Sequence, residues 1–124
     1  LRERHVVMGD FNALSDEDPY DLETVVAQLR PYVPNPEALA ARMLDRALLA
    51  KTRGHGLRDA LPVEARTHTL PTHLSRPNAT QGALLRIDYV LVTDDLRVRS
   101  GKVVQSEDAD RASDHYPVVV DLEF

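Results

Sequence analysis

The sequence predicts a mixed α/β fold, and three features support that class. Apolar runs near the two ends of the chain, at residues 5–8 and 116–124, are typical of strands. A third apolar run, residues 84–92, contains β-branched and aromatic side chains that favour extended structure. Between the runs, residues 21–54 carry apolar positions at helical spacing. Because the chain has only 124 residues, we expect at most one domain.

The N-terminal half is predicted to hold one strand and two helices. The run at residues 5–8 is interpreted as a buried strand. Asp21 can cap a first helix, which Pro31 ends. A second helix is expected over residues 35–54, because it opens with Asn and Pro, keeps one apolar face, and closes with Gly.

The C-terminal half is predicted to alternate between strands and loops. Residues 57–61 are expected to form a short strand or a turn of helix. Residues 62–82 are rich in Pro, Thr, Asn and Ser, and predict a long surface loop that is either functional or disordered. After the strand at 84–92 we expect a weaker strand over residues 96–104, an acidic loop over residues 107–113, and the last strand.

The composition narrows the function class. The formal net charge is −5, whereas proteins that grip nucleic acid by its phosphates usually show a basic face. This balance also fits poorly with a basic membrane-surface helix. The chain has no cysteine, which excludes disulfides and thiolate metal sites. The sequence predicts no transmembrane segment and no signal peptide.

Three short segments place polar side chains beside apolar strands, where a rigid scaffold can present them to a substrate. They combine carboxylates, an amide and an imidazole, which together suit metal-assisted hydrolysis. Hard oxygen ligands favour Mg²⁺ or Mn²⁺, and an imidazole oriented by a carboxylate can handle a proton or a phosphoryl oxygen. The candidate residues are Asp10, Asn12, Asp88, Asp114 and His115.

These segments resemble motifs of the endonuclease/exonuclease/phosphatase superfamily. Residues 9–12 resemble its Gly-Asp-(Phe/Leu)-Asn motif, and residues 86–90 resemble its Arg-(Ile/Leu)-Asp-(Tyr/His) motif. Residues 113–117, Ser-Asp-His-Tyr-Pro, resemble its Ser-Asp-His-x-Pro motif, and residues 56–60 lie where the family often has Gly-(Leu/Phe)-x-Asp. The motifs occur in the family's order, and the resemblance covers the whole chain but only the second half of the family's domain.

The resemblance implies a role for each candidate residue. Asp10 would position or deprotonate the attacking water, or stabilise the leaving oxygen near a metal, and Asn12 would hydrogen-bond the nucleophile or the scissile phosphate. Asp114 would bind Mg²⁺ (or Mn²⁺) directly or through water, with Asp10 as a further metal ligand. His115 would contact the phosphate and transfer a proton, while Asp88 would orient His115 by accepting its ring N–H.

The resemblance also implies the fold and the partners. It implies half of a four-layer α/β sandwich with two mostly antiparallel sheets, of which residues 1–124 supply roughly one sheet and its helices. The N-terminal half, which carries the family's principal metal-binding Glu, would be absent, and we expect the fragment alone to be inactive. The implied reaction is Mg²⁺-dependent attack of water on a phosphodiester or phosphomonoester. The substrate would be a nucleic acid, a nucleotide, an inositide or a phospholipid head group.

Alternatives remain open at this level. A phosphatase or phospholipase acting on inositide or lipid head groups competes with a nuclease, and the acidic balance leans slightly away from long DNA. A catalytically dead, partner-binding domain is a third hypothesis, against which the intact candidate set argues. Taken singly, Asp10 and Asn12 could be turn residues, and Asp88 could form a structural salt bridge with Arg86.

Overall fold

A computed structural model describes residues 3–74 and 82–124 and confirms the α/β class, with two antiparallel sheets accompanied by helices. The strands are β1 (Val6–Asp10), β2 (Leu57–Asp59), β3 (Asp88–Thr93), β4 (Arg97–Val103) and β5 (Val118–Glu123). The helices are α1 (Leu22–Leu29), α2 (Pro36–Met43), α3 (Ala47–Gly54) and α4 (Glu107–Ala112), with a 3-10 turn at Val63–Ala65. Within the described ranges, none of these helices combines the length and the apolar character needed to cross a bilayer.

Strand β3 is the centre of the fold. It pairs with β1 on one side and β2 on the other, both antiparallel, while β4 and β5 form a separate antiparallel pair. Alternate residues of a strand point to opposite faces. Val90 and Val92 therefore pack toward the β4–β5 sheet, whereas Tyr89 and Leu91 pack with Leu49 of α3. The result is a helix layer, a three-stranded sheet and a two-stranded sheet.

The segment leading into β3 has its own core, which α1 and α2 cover. Both helices begin where the sequence predicts, because Asp21 accepts the N–H of Thr24 at 2.8 Å and Asn35 accepts that of Ala38 at 3.2 Å. This cluster buries side chains from both helices and from the extended segment before β3: Leu14, Val25, Val26, Leu29, Ala40, Leu70, Ala83, Leu85 and Ile87.

The single helix predicted over residues 35–54 is wrong, since the structure has α2 and α3 there. The Asp45 side chain accepts the N–H of Ala47 at 3.2 Å, a local bond that competes with helical pairing. Next to it, the Arg46 guanidinium donates to two backbone carbonyls of the loop before α1. The helical spacing of apolar residues continues across the break between α2 and α3, because it does not depend on these polar contacts.

The acidic loop predicted over residues 107–113 is instead helix α4. The Ser106 hydroxyl accepts the N–H of Ala109 at 3.2 Å, as an N-cap does. The acidic residues that suggested a solvated loop lie in the first turn, where negative charge stabilises a helix. Helix α4 ends immediately before the Ser-Asp-His segment.

The long surface loop predicted over residues 62–82 is partly buried. Residues 75–81 lie outside the described part of the chain. Before them, Leu70 forms a bridge with Leu85, and Thr69 and Thr72 are fully buried. The loop prediction is wrong for this stretch, because the threonine hydroxyls and the backbone around them bond to neighbouring segments.

Two strand predictions also need correction. Strand β1 is not buried: Val6, Val7 and Met8 are 37%, 42% and 74% exposed, since nothing in the described residues covers that edge of the sheet. The strand predicted from residue 84 begins only at Asp88, because Leu85 pairs with Leu70 of the buried loop and the N–H groups of Arg86 and Ile87 bond to side chains instead of a neighbouring strand. Strand β4 is continuous but has a register shift between residues 98 and 100.

Candidate active site

The pairing of β1 with β3 brings the first two motifs together. Because the strands are antiparallel, the end of β1 lies beside the start of β3, and Asp10 pairs with Asp88 in register. The chain continues past β1 with a hydrogen bond from the Phe11 N–H to the Ile87 carbonyl at 2.9 Å. Two carboxylates from distant parts of the sequence therefore lie at the same end of the β1–β3 strand pair.

A tight turn after β1 fixes Asp10 and Asn12 relative to each other. The Asp10 carboxylate accepts the N–H of Asn12 at 2.7 Å. Asn12 has φ of 47°, in the left-handed region that Asn tolerates better than most side chains. A non-glycine residue held at positive φ often marks a functional site. The turn places the Asn12 amide on the wall of a cleft that also contains His115.

Asp88 and His115 form a direct pair. The Asp88 Oδ2 lies 2.8 Å from the His115 Nδ1, and both side chains are partly buried. An ionised carboxylate can only accept, so the Nδ1 must carry the proton and donate it. The opposite ring nitrogen, Nε2, is then available to a substrate.

Charge around His115 changes its pKa. Burial alone would lower the pKa of this imidazole, but the hydrogen bond and charge of Asp88 outweigh burial, and Asp114 and Asp10 add to them. The net effect raises the pKa of His115 above its ordinary value of 6.5. The protonated imidazole therefore persists to higher pH than it would in solution. The pair's contribution to stability is complete below pH 6.5 and is lost as pH rises through the raised pKa of the folded protein.

Arg86, the first residue of the second motif, points away from the site. Its guanidinium donates to both carboxylate oxygens of Asp18 at 2.8 Å and to Asp59 at 2.5 Å, and all three side chains are buried. The guanidinium also lies over the Tyr89 ring, 4.5 Å from its centroid. The alternative in which Arg86 neutralises Asp88 is therefore not the arrangement found. Asp59, from the fourth sequence pattern, belongs to this buried ionic cluster.

The segment that holds the third motif in place contains Thr69 and Thr72, and the sequence did not predict this role. The Tyr116 N–H donates to the Thr69 carbonyl at 2.7 Å, and the Thr72 N–H donates to the Asp114 carbonyl at 3.2 Å. The Thr72 hydroxyl donates to the Ser113 carbonyl at 2.5 Å. The threonines give a weak signal in sequence, because their polar character suggests an exposed loop.

Asp10 and Asp114 are the residues that could hold a metal. Asp114 directly precedes His115 in the chain, and Asp10 pairs in register with Asp88, the partner of His115. In residues 3–74 and 82–124, no three Asp, Glu, His or Cys side chains gather into a metal-binding group. Mg²⁺ is commonly held by one or two carboxylates, with waters and substrate phosphate completing its shell. The donors present fit part of such a shell.

An apolar cleft of about 300 Å³ adjoins the pair. Asn12 and His115 contribute its polar atoms. The remaining lining side chains among the described residues are uncharged and apolar, from Ala13, Leu14, Met43, Leu70, Leu85 and Ile87. A group attached to a phosphate held at His115 could enter this space.

The sequence model of the Endonuclease/Exonuclease/phosphatase family matches residues 1–115. The match includes every candidate residue, ending at the histidine of the Asp88–His115 pair. No curated protein and no solved structure matches the chain significantly. Because the family model spans most of the sequence, the chain belongs to the endonuclease/exonuclease/phosphatase family, whose members generally hydrolyse phosphate esters.

Proposed function

We propose that this chain carries part of the active site of a Mg²⁺-dependent phosphoesterase that hydrolyses a phosphodiester or phosphomonoester with water. The Asp88–His115 hydrogen bond is the observation that carries this proposal. It orients an imidazole beside Asp10 and Asn12, on a rigid sheet edge, with one ring nitrogen left for substrate. Such an imidazole serves phosphate-ester hydrolysis, the reaction general to the family.

Each residue then has a distinct task. The His115 Nε2 donates to a phosphate oxygen, and the raised pKa keeps the ring protonated to higher pH than a free imidazole. Asp88 holds the ring and balances its charge. Asp10 takes a proton from the attacking water, and Asn12 hydrogen-bonds that water or the phosphate. Mg²⁺, held in part by Asp114 and Asp10, would offset the negative charge that develops on the phosphoryl oxygens.

We also propose that the remaining metal ligands come from an N-terminal half outside these 124 residues, as part of a four-layer sandwich. The exposed apolar side chains of β1 support this, since Val7 and Met8 lie on opposite faces of this edge strand and additional segments packed along it would cover both. Asp10 and Asp114 would also supply only part of the ligand shell that Mg²⁺ requires, so further ligands would have to come from elsewhere.

The isolated fragment, residues 1–124, is expected to be inactive and prone to association. Apolar surface without a partner layer favours self-association. The measurement is its oligomeric state and near-UV dichroism, compared with the fragment co-expressed with the N-terminal half, together with activity of both. A monodisperse, Mg²⁺-dependent hydrolase made from the fragment alone would contradict the proposal.

Chelation is expected to abolish turnover of the full-length protein. The candidate ligands are carboxylates with no thiolate, a donor set that binds Mg²⁺ or Mn²⁺ reversibly. Hydrolysis should stop in EDTA, return with Mg²⁺ or Mn²⁺, and not return with added Na⁺ as an ionic-strength control. Full activity after exhaustive chelation would rule out the metal-dependent mechanism.

The apolar cleft beside His115 gives information about the class of substrate. Apart from His115, no charged side chain among the described residues lines this cleft, so it suits an uncharged group next to the phosphate better than a second phosphate. Together with the net charge of −5, this favours a small or lipid-like ester over a long polynucleotide. A panel of plasmid DNA, abasic duplex, RNA, inositol phosphates and sphingomyelin, each with and without Mg²⁺, separates these candidates. Fastest turnover on RNA or plasmid DNA would overturn the preference.

A further inference from the structure

Thr69 is a fully buried residue that bonds to the backbone of Asp88 and to the backbone of Tyr116, which directly follows His115. Its hydroxyl oxygen accepts the N–H of Asp88 at 3.3 Å and that of Ile87 at 3.1 Å. Its carbonyl accepts the N–H of Tyr116, the residue after His115, at 2.7 Å. One residue thus touches the backbone on each side of the pair.

The two hydrogen bonds that the Thr69 hydroxyl accepts affect the direction in which the Asp88 side chain points. In a regular strand, successive N–H groups point to opposite edges. At the start of β3, two successive N–H groups converge on one oxygen, so the backbone turns between residues 87 and 88. That turn determines where the Asp88 carboxylate emerges, 2.8 Å from the His115 ring.

The Thr69 backbone is anchored independently of its side chain. Its N–H donates to the Leu85 carbonyl at 2.8 Å, and the neighbouring Leu70 exchanges backbone bonds with the same residue. The hydroxyl is therefore a fixed reference point between the second and third motifs. Removing it leaves two buried N–H groups without their acceptor.

We propose that Thr69 is a positioning residue that sets the distance between the Asp88 carboxylate and the His115 imidazole. Thr69 acts through these residues and needs no contact with substrate. The inference rests on the proposed function for its effect on rate, and on geometry alone for its effect on the pair.

The first test compares Thr69→Val, which removes the hydroxyl at nearly constant shape, with Thr69→Ser, which keeps it. Thr93→Val is the matched control, because Thr93 is also buried and its hydroxyl accepts the N–H of His5 at 3.2 Å, at the far end of β3. In the full-length protein, Thr69→Val is expected to lower kcat roughly tenfold or more with KM nearly unchanged, since small misplacements of reacting groups are costly. Thr69→Ser and Thr93→Val should stay close to the wild-type kcat.

The second test does not depend on activity. A Nδ1 proton held by a carboxylate gives a slowly exchanging, downfield NMR signal, which we expect for His115 in the wild type, Thr69→Ser and Thr93→Val. The signal should be lost or exchange rapidly in Thr69→Val. If that variant does not fold, Thr69→Ala removes the same acceptor and leaves room for a water.

The outcomes separate the two proposals. A wild type with the NMR signal but no phosphate-ester hydrolysis would refute the proposed function, and the signal in Thr69→Val would still decide the positioning role. An unchanged signal and an unchanged kcat in Thr69→Val would overturn the role of Thr69. Equal loss in Thr93→Val would also overturn it, because the effect would then be a general loss of stability.

Discussion

Replacing His115 with Ala in the full-length protein is expected to lower the rate of phosphate-ester hydrolysis by several orders of magnitude. Removal of a positioned acid–base group costs about 10²- to 10⁴-fold. The partly buried Asp88 carboxylate orients this imidazole at 2.8 Å and outweighs the effect of burial to raise its pKa, so the ring stays protonated to higher pH than a free imidazole. The measurement is kcat/KM at saturating Mg²⁺.

The contribution of Asp88 is expected to depend on His115. Asp88→Ala alone should be costly, because it frees the ring and lets the pKa of His115 fall. In the His115→Ala background the same change should cost little, since residues that act as a unit give non-additive losses. The double-mutant cycle measures this coupling, and fully additive losses would assign Asp88 a separate role.

A second histidine–carboxylate pair provides the control for both variants. The His73 Nδ1 lies 3.4 Å from the Asp110 Oδ1, but the His73 side chain is 65% exposed. His73→Ala should therefore leave kcat/KM within about twofold of the wild type, as an exposed pair carries little energy. A loss comparable to that of His115→Ala would show that charge near the third motif, rather than the oriented ring, determines the rate.

The sequence predicts the candidate site better than it predicts the scaffold around it. Asp10 ends strand β1 and Asp88 begins strand β3, and both residues lie within the family motifs. The residues that hold the motifs are predicted poorly, because Thr69 acts through bonds to segments 18 and 47 residues away. Such long-range bonds leave no periodicity in the sequence.

Local polar contacts explain the other errors. Ser106 is a possible helix N-cap in the sequence, but the acidic residues after it are also typical of a loop. The hydrogen bond from the Ala109 N–H to the Ser106 hydroxyl identifies the segment as helix α4. The break near Asp45 depends on a side chain that competes with the helix. The exposure of β1 depends on what lies beyond the sheet edge, which an apolar run by itself does not specify.

Arg86→Ala is expected to destabilise the fold by roughly 3–5 kcal/mol, the cost of breaking a buried ion pair by removing one partner. The Arg86 side chain is 2% exposed, and its removal would leave the Asp18 carboxylate without its guanidinium and the Asp59 carboxylate with only the longer contact to Arg66 at 3.6 Å; both carboxylates are 5% exposed. Burial alone would lower the pKa of Arg86, but its bonds to these carboxylates raise it, so the charge is held in the folded state.

The measurement is urea unfolding of the full-length protein, in which the midpoint and the denaturant dependence of the free energy of unfolding are compared between variants. Arg30→Ala is the matched control, since Arg30 pairs with Glu37 at 3.3 Å on the surface, where both side chains are more than 60% exposed. An exposed pair contributes about 0–1 kcal/mol, so this variant should unfold nearly with the wild type. An Arg86→Ala loss as small as that of Arg30→Ala would contradict the prediction.

A third variant separates the charge of Arg86 from its packing. Arg86→Met combined with Asp18→Asn and Asp59→Asn removes the three most buried charges together while keeping similar volumes, and Arg66, 14% exposed, keeps its ion pair with Glu17 at 3.2 Å. Because replacing a whole buried ionic group can be neutral or better, this triple variant should be more stable than Arg86→Ala. If it is instead less stable, the hydrogen bonds that Asp59 makes to the Leu61 N–H at 2.9 Å and that Asp18 makes to Arg86 matter more than charge balance. In either case the Asp88–His115 pair should survive in the folded fraction, since Arg86 contacts neither side chain.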